Sequence, residues 1–216
     1  MYRVLLPAVL SLSLAGCGMA TNSFTSGLAN SGQPSPRSQR AQETGSVEQA
    51  TKRTAALSDK AGDKAPKGTF EKAPTGALAD RDFSQTRLDA ERARELVNAY
   101  RKEKGLRPLK LQPALTEAAR AHSQDLAKWD RISHFGSDGS NPWDRVKRTG
   151  YSAKLAAENV GTGQATFEEV MKGWRASPGH NKNLLLTEAE HMGIALVQDP
   201  KTEFKTFWTL VIGSPL

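Results

Sequence analysis

The 216-residue chain has a single cysteine, Cys17, so no intramolecular disulfide can staple it, whatever its redox compartment. Its longest apolar run, "VLLPAVLSLSLAG" near the N-terminus, is too short to span a bilayer comfortably, because a transmembrane helix needs roughly 20 such residues. There is no G-x-S-x-G stretch, which excludes the nucleophile elbow of an α/β-hydrolase. No His-x-x-x-His pair pre-orients two metal ligands on one helix. The net charge of +7 and pI near 9.6 would suit a nucleic-acid partner, but no aromatic-basic patch or nucleic-acid motif accompanies them. A hydrophobic share of 38% is low for a chain folded throughout, and part of it is expected to lack structure.

The first residues bear on compartment. Arg3 precedes the apolar run, as in an export signal, and the run ends in "LAGC", Leu14 to Cys17. That tetrapeptide resembles the lipobox of bacterial lipoprotein signals, whose cysteine is diacylated before cleavage. The resemblance implies a signal peptide over 1–16 and a mature chain that begins at lipidated Cys17. An ordinary secretory signal cleaved after a small residue is the alternative. More than one acyl chain exceeds what stable anchoring requires, at about 0.8 kcal/mol per buried CH₂. The membrane, reached through Cys17, is therefore the first expected partner. Gly18 stands where an aspartate would favour inner-membrane retention, which points to the outer membrane. In a cell envelope the basic surface would meet anionic lipids or envelope polymers; a monomer is expected.

Residues 17–82 are rich in Ser, Thr, Ala, Gly, Pro, Lys and Gln, with too few large apolar groups to offset the entropy of ordering. They read as a flexible tether, with Phe70 as the anchor if this arm instead binds a partner. Residues 83–216 read as the folded domain. "TRLDAERARELVNAYRKEKG" has helical spacing and a stop at Gly105. "QPALTEAARAHSQDLAKWD" is a second helix whose apolar stripe carries His122. "NPWDRVKRTG" makes a short third helix, and "TFEEVMKGWRAS" a fourth, with Thr166 and Glu169 in capping-box positions. "HMGIALVQ" and "FKTFWTLVIG" are strands joined by turn residues. Helices followed by strands, without regular alternation, predict an α+β domain.

Four polar residues need explaining. His134 follows a helix and precedes a glycine-rich turn, a position that exposes a side chain on a fixed scaffold. Glu158 lies among small residues in "AAENVGTG". His180 comes directly after Pro178-Gly179, which ends the fourth helix and turns the chain, and Asn183 is placed to brace the new segment. His122, on its stripe, reads as a half-buried histidine with one satisfied nitrogen.

Taken together, "AYRKEKGLRPLKLQPALTEAARAHSQDLA", "SHFGSDGSNPWDR", "AENV", "GWRASPGHNKNLL" and "HMGIALV" resemble, in order and spacing, a bacterial CAP (SCP) domain. That superfamily holds the cysteine-rich secretory proteins, antigen 5 and the plant pathogenesis-related class-one proteins. The resemblance implies a three-layer α-β-α sandwich with a central antiparallel sheet and a cleft holding two histidines and two acids. His134, Glu158 and His180 match three of these; at the fourth position Ser177 replaces the second acid, which weakens any two-carboxylate chemistry. The cleft then admits three readings. His134, Glu158 and His180 could hold zinc or another divalent cation, or a small ligand. The same residues could serve a metal-assisted hydrolase or protease, although the missing acid argues against an enzyme. Or they could brace the fold through mutual hydrogen bonds.

Overall fold

The computed structural model describes residues 27–29 and 62–216. The expectations for the signal peptide and Cys17 lie outside the described residues. Among the described residues, no helix is long and apolar enough to cross a membrane.

Local sequence rules place the helices. Helix α1 (Ala90–Glu103) starts where the Asp89 carboxylate accepts the Arg92 amide at 2.9 Å, and it ends before Gly105, whose φ of 71° suits glycine. Helix α2 (Pro113–Trp129) has proline in its first turn, where no intrahelical N–H is needed. It ends at Asp130, left-handed at φ 47°, whose carboxylate accepts the Glu203 amide at 2.9 Å. Helix α3 (Pro142–Arg148) has a full capping box between Asn141 and Asp144. Helix α4 (Phe167–Ala176) is capped by Thr166, but Glu169 turns to the Ala165 amide and Arg81, so only half of the expected box forms.

Ser177 leaves helical geometry at φ −92°, ψ 120°, the conformation a following proline favours. The sequence predicts that break. Beyond it the chain forms a further short helix, α5 (Pro178–Leu184), with Pro178 in its first turn.

The main sheet has the order β1 (Gly27–Ala29), β5 (Ala153–Thr162), β7 (Thr206–Pro215), β6 (His191–Gln198), β3 (Lys110–Leu111). All its pairings are antiparallel except β3 with β6, so the sheet is mixed at that edge. A separate two-stranded ribbon joins β2 (Phe70–Glu71) to β4 (Ile132–Ser133).

Side chains alternate across the sheet with the period of two that a strand imposes. On one face Ala156, Ala195 and Val211 pack under Leu115, Ala118 and Ala119 of α2 and Val146 of α3, while Leu126 of α2 joins the cluster around Val160 and Phe207. On the other, Met192, Ile194, Trp208, Leu210 and Ile212 meet α1, α4 and α5 through Val97, Tyr100, Trp174 and Leu184. This is the α-β-α sandwich. Strand β7 is covered on both faces, which is why "FWTLVI" reads as a continuous apolar run rather than an alternation.

Two sequence expectations need correction. Strand β5 sits between β1 and β7 and is almost wholly buried, yet its small residues and its Glu-Asn pair give no strand alternation to detect. The folded region also starts well before residue 83. Arg131 is 1% exposed and takes the Asp63 carboxylate at 2.5 Å, with its guanidinium over the Phe70 ring. Ser133 donates to the Thr69 carbonyl, Lys72 to that of Trp129, and Arg81 pairs with Glu169. Composition marks this stretch as tether because its contacts are few, polar and directed at distant residues.

Two measurements probe this packing. A Cβ on Gly193 would lie 2.1 Å from the backbone of Leu115 and Thr116, so Gly193→Ala should cost at least about 3 kcal/mol in chemical denaturation, the upper end for overpacking. Asp63→Ala should cost about 3 kcal/mol by leaving the Arg131 charge buried without its main partner, whereas a mere tether residue would show no change.

Candidate functional site

The site is built around one carboxylate. Glu158 is 0% exposed, and on β5 it shares the face of Ala156 and Val160, toward α2 and α3. The Arg145 Nη2 donates to Oε2 at 2.7 Å, and His134 Nδ1 donates to Oε1 at 2.9 Å. His122 Nε2 stands 3.5 Å from Oε1 while donating to the Ser133 carbonyl at 2.8 Å.

Each partner is held by its own element. The capping box of α3 fixes the turn that carries Arg145, whose guanidinium also donates to the carbonyls of Ser140 and His134 at 2.9 and 3.0 Å. His134 leaves β4 into a turn secured by Phe135 N donating to Ser133 Oγ, and by Ser137 N donating to Asp125. His122 is carried in by the apolar stripe of α2.

Burial alone would push the Glu158 carboxyl upward. The Arg145 guanidinium first, with the His134 hydrogen bond beside it, outweighs this and holds the carboxyl well below the usual range, so it is ionised. Burial is also the main influence on His122, whose pKa is lowered to about 4. At neutral pH it is an uncharged ring whose proton sits on Nε2. Its Nδ1 is buried without a hydrogen-bond partner among the described residues.

The expected residues do not all converge. His134 and Glu158 meet directly. His180 arrives on α5, on the face that Asn159 points to, with its ring centroid 6.5 Å from that of Trp174. Its backbone oxygen accepts from Asn159 Nδ2 at 3.1 Å, and Asn183 Nδ2 donates to the Glu158 carbonyl and to Asn159 Oδ1 at 3.0 and 2.9 Å. The helix break thus docks α5 against the β5 backbone, with Asn183 as the brace. Ser177 is half-buried at the junction and makes no side-chain cap bond.

This donor set does not suit a divalent cation. Both Glu158 oxygens are engaged, one by a guanidinium that a cation would have to displace. Among the described residues no three His, Cys, Asp or Glu side chains are grouped to hold a metal. A depression of about 330 Å³, bordered by His122, Asp125, Ser137, Asp138, Arg145 and Arg148, is where a small molecule could approach the cluster.

Sequence reasoning overlooked Arg145 and the full role of His122. A buried carboxylate needs a nearby cation, and Arg145 in "NPWDR" is a cation beside a helix cap, but no local rule indicates that it faces inward. His122 is fully buried rather than half-buried, and so lies within reach of Glu158.

The acid limb of stability is set by these protonation states. The unfolded chain protonates at His122 near 6.5, whereas the folded chain does so near 4. Stability is therefore complete above 6.5 and is lost as pH falls through that window, by up to about 3 kcal/mol at 1.36 kcal/mol per pH unit. The depressed Glu158 adds stability above its ordinary value of 4.5 that is lost at still lower pH. Denaturant melts from pH 7 to 4 should show this slope, and His122→Gln should flatten it between 6.5 and 4.

Comparison with known proteins agrees with this architecture. The sequence model of the cysteine-rich secretory protein family, CAP, matches residues 94–212. The uncharacterized protein YkwD of Bacillus subtilis is 37% identical over 156 residues, 72% of this chain and 59% of that protein. The uncharacterized membrane protein YlbC of the same organism is 26% identical over 121 residues, 56% of this chain and 35% of its own length. This chain thus spans less than two thirds of either relative. An extracellular protein containing an SCP domain from Bacillus anthracis superposes with a TM-score of 0.51 at 21% identity, over 66% of this chain and 44% of that one. An outer surface protein from Borrelia burgdorferi gives 0.53 at 20% identity, over 60% and 97%. With its family model matched across the helices, the buried carboxylate and the closing strands, the chain belongs to the CAP family of cysteine-rich secretory proteins.

Proposed function

We propose that this is an extracytoplasmic, lipid-anchored CAP-domain protein whose buried polar cluster braces the fold and does no chemistry. One observation carries the brace: Glu158 is completely buried with both oxygens engaged, by Arg145 and His134. A general base or metal ligand needs a lone pair that a substrate or ion can reach. Here the carboxylate ties β5 to α3 and to the turn after β4, and His122 adds α2. The domain then acts as a rigid module presented at the membrane surface.

The envelope location rests on Arg3, the short apolar run and "LAGC". It agrees with the extracellular and outer-surface relatives that share the fold. Anchoring through Cys17 to the outer membrane belongs to the same reading.

Two experiments test it. Zinc titration by calorimetry should show no micromolar binding, while Glu158→Gln should destabilise the domain by about 3–5 kcal/mol, the cost of leaving a buried cation unpaired. Micromolar zinc binding abolished by His134→Ala, with unchanged melts, would replace the brace with a metal site. In cells fed labelled palmitate, the chain should take up label and stay with membranes; Cys17→Ser should abolish both. Equal labelling of the variant would refute the anchor.

A further inference from the structure

Strand β5 has β7 on one side. On its other side the described residues supply a single neighbour, Gly27–Ala29, paired antiparallel in the register Gly27 with Asn159, Leu28 with Glu158 and Ala29 with Ala157. An open edge presents N–H and C=O groups that must be paired or hydrated, and a short extended peptide satisfies them by strand addition. The pairing falls at the two residues that organise the site, and β1 also lies against α5. The segment that fills the edge comes from the stretch read as tether, far in sequence from β5.

We propose that the β5 edge is a strand-docking groove and that Gly27–Ala29 is its resident occupant, a latch that clips the tether onto its own domain. Part of the consequence rests on the anchoring reading above. Ten residues separate Cys17 from Gly27, and 46 separate it from Asp63, the first described residue after Ala29 with a side-chain bond to the domain. A fully extended backbone spans at most about 3.5 Å per residue, so latching shortens the greatest possible reach from roughly 160 Å to roughly 35 Å. Release would let the domain swing away from the membrane and would bare the β5 edge beside Glu158 and Asn159. A competing ligand for the groove is therefore an extended peptide that offers backbone hydrogen bonds.

The strand pairing does not depend on lipidation, so it is tested apart from the anchor. In the full chain in detergent, amide exchange over residues 157–159 should show the edge-facing amides protected. Leu28→Pro combined with Ala29→Pro removes the one N–H of this adjacent pair that faces β5, whichever way the strand is phased, and should speed exchange of those protected amides at least tenfold, with the melting transition of the domain retained. A synthetic peptide of residues 23–33, added in excess to that variant, should restore protection. Equal exchange in both chains would overturn the latch. So would protection that the peptide fails to restore, including in a variant whose core is loosened.

Discussion

The fold of this chain turns on the burial of one ionised carboxylate. Glu158 has no exposure to water, and an uncompensated charge there would cost far more than a small domain's net stability. Its compensation comes from two separate elements, Arg145 from α3 and His134 from the turn after β4, while the His122 ring of α2 packs beside it. Those elements have little freedom to shift independently, because any displacement would strip a partner from the charge. The requirement propagates outward. Arg145 must also be oriented by the Ser140 and His134 carbonyls, and the Ser133 carbonyl accepts from His122.

A second network works on the opposite face of the same strand. Asn159 and Asn183 bond one another, and each reaches a backbone carbonyl across the β5–α5 boundary. The Glu-Asn pair thus fastens both flanking layers from adjacent positions, one side chain to each face. The Pro-Gly break lets α5 start afresh and present Asn183 to β5. His180, buried beside Trp174, belongs to that packing. The cleft residues that suggest catalysis in one dimension serve, in three, two different interfaces of one strand.

The N-terminal stretch is less of a spacer than its composition suggests. From Asp63 onward it spends its few apolar and charged groups on the domain, above all on the buried Arg131, which is stacked on Phe70 and Trp129. Phe70 lies under the Arg131 guanidinium of its own domain. A polar segment can add to stability this way because it satisfies groups the core has already buried.

Much of the architecture was legible in the chain. Periodicity, N-terminal prolines and caps identify α1 to α4, and the hairpin β6–β7 is plain because its apolar runs are flanked by turn residues. The family was legible too, since its motifs retain order and spacing around His134, Glu158 and Gly193. Tertiary structure alone decided the partner of Glu158, because Arg145 is one of 30 basic residues and nothing local distinguishes an inward guanidinium from a solvated one. It also decided that His180 and Glu158 belong to different faces: strand alternation separates neighbours that motif spacing had seemed to unite. Finally it placed Asp63, Phe70 and Gly27–Ala29, whose contacts are long-range and few, and so leave no periodic trace in the sequence.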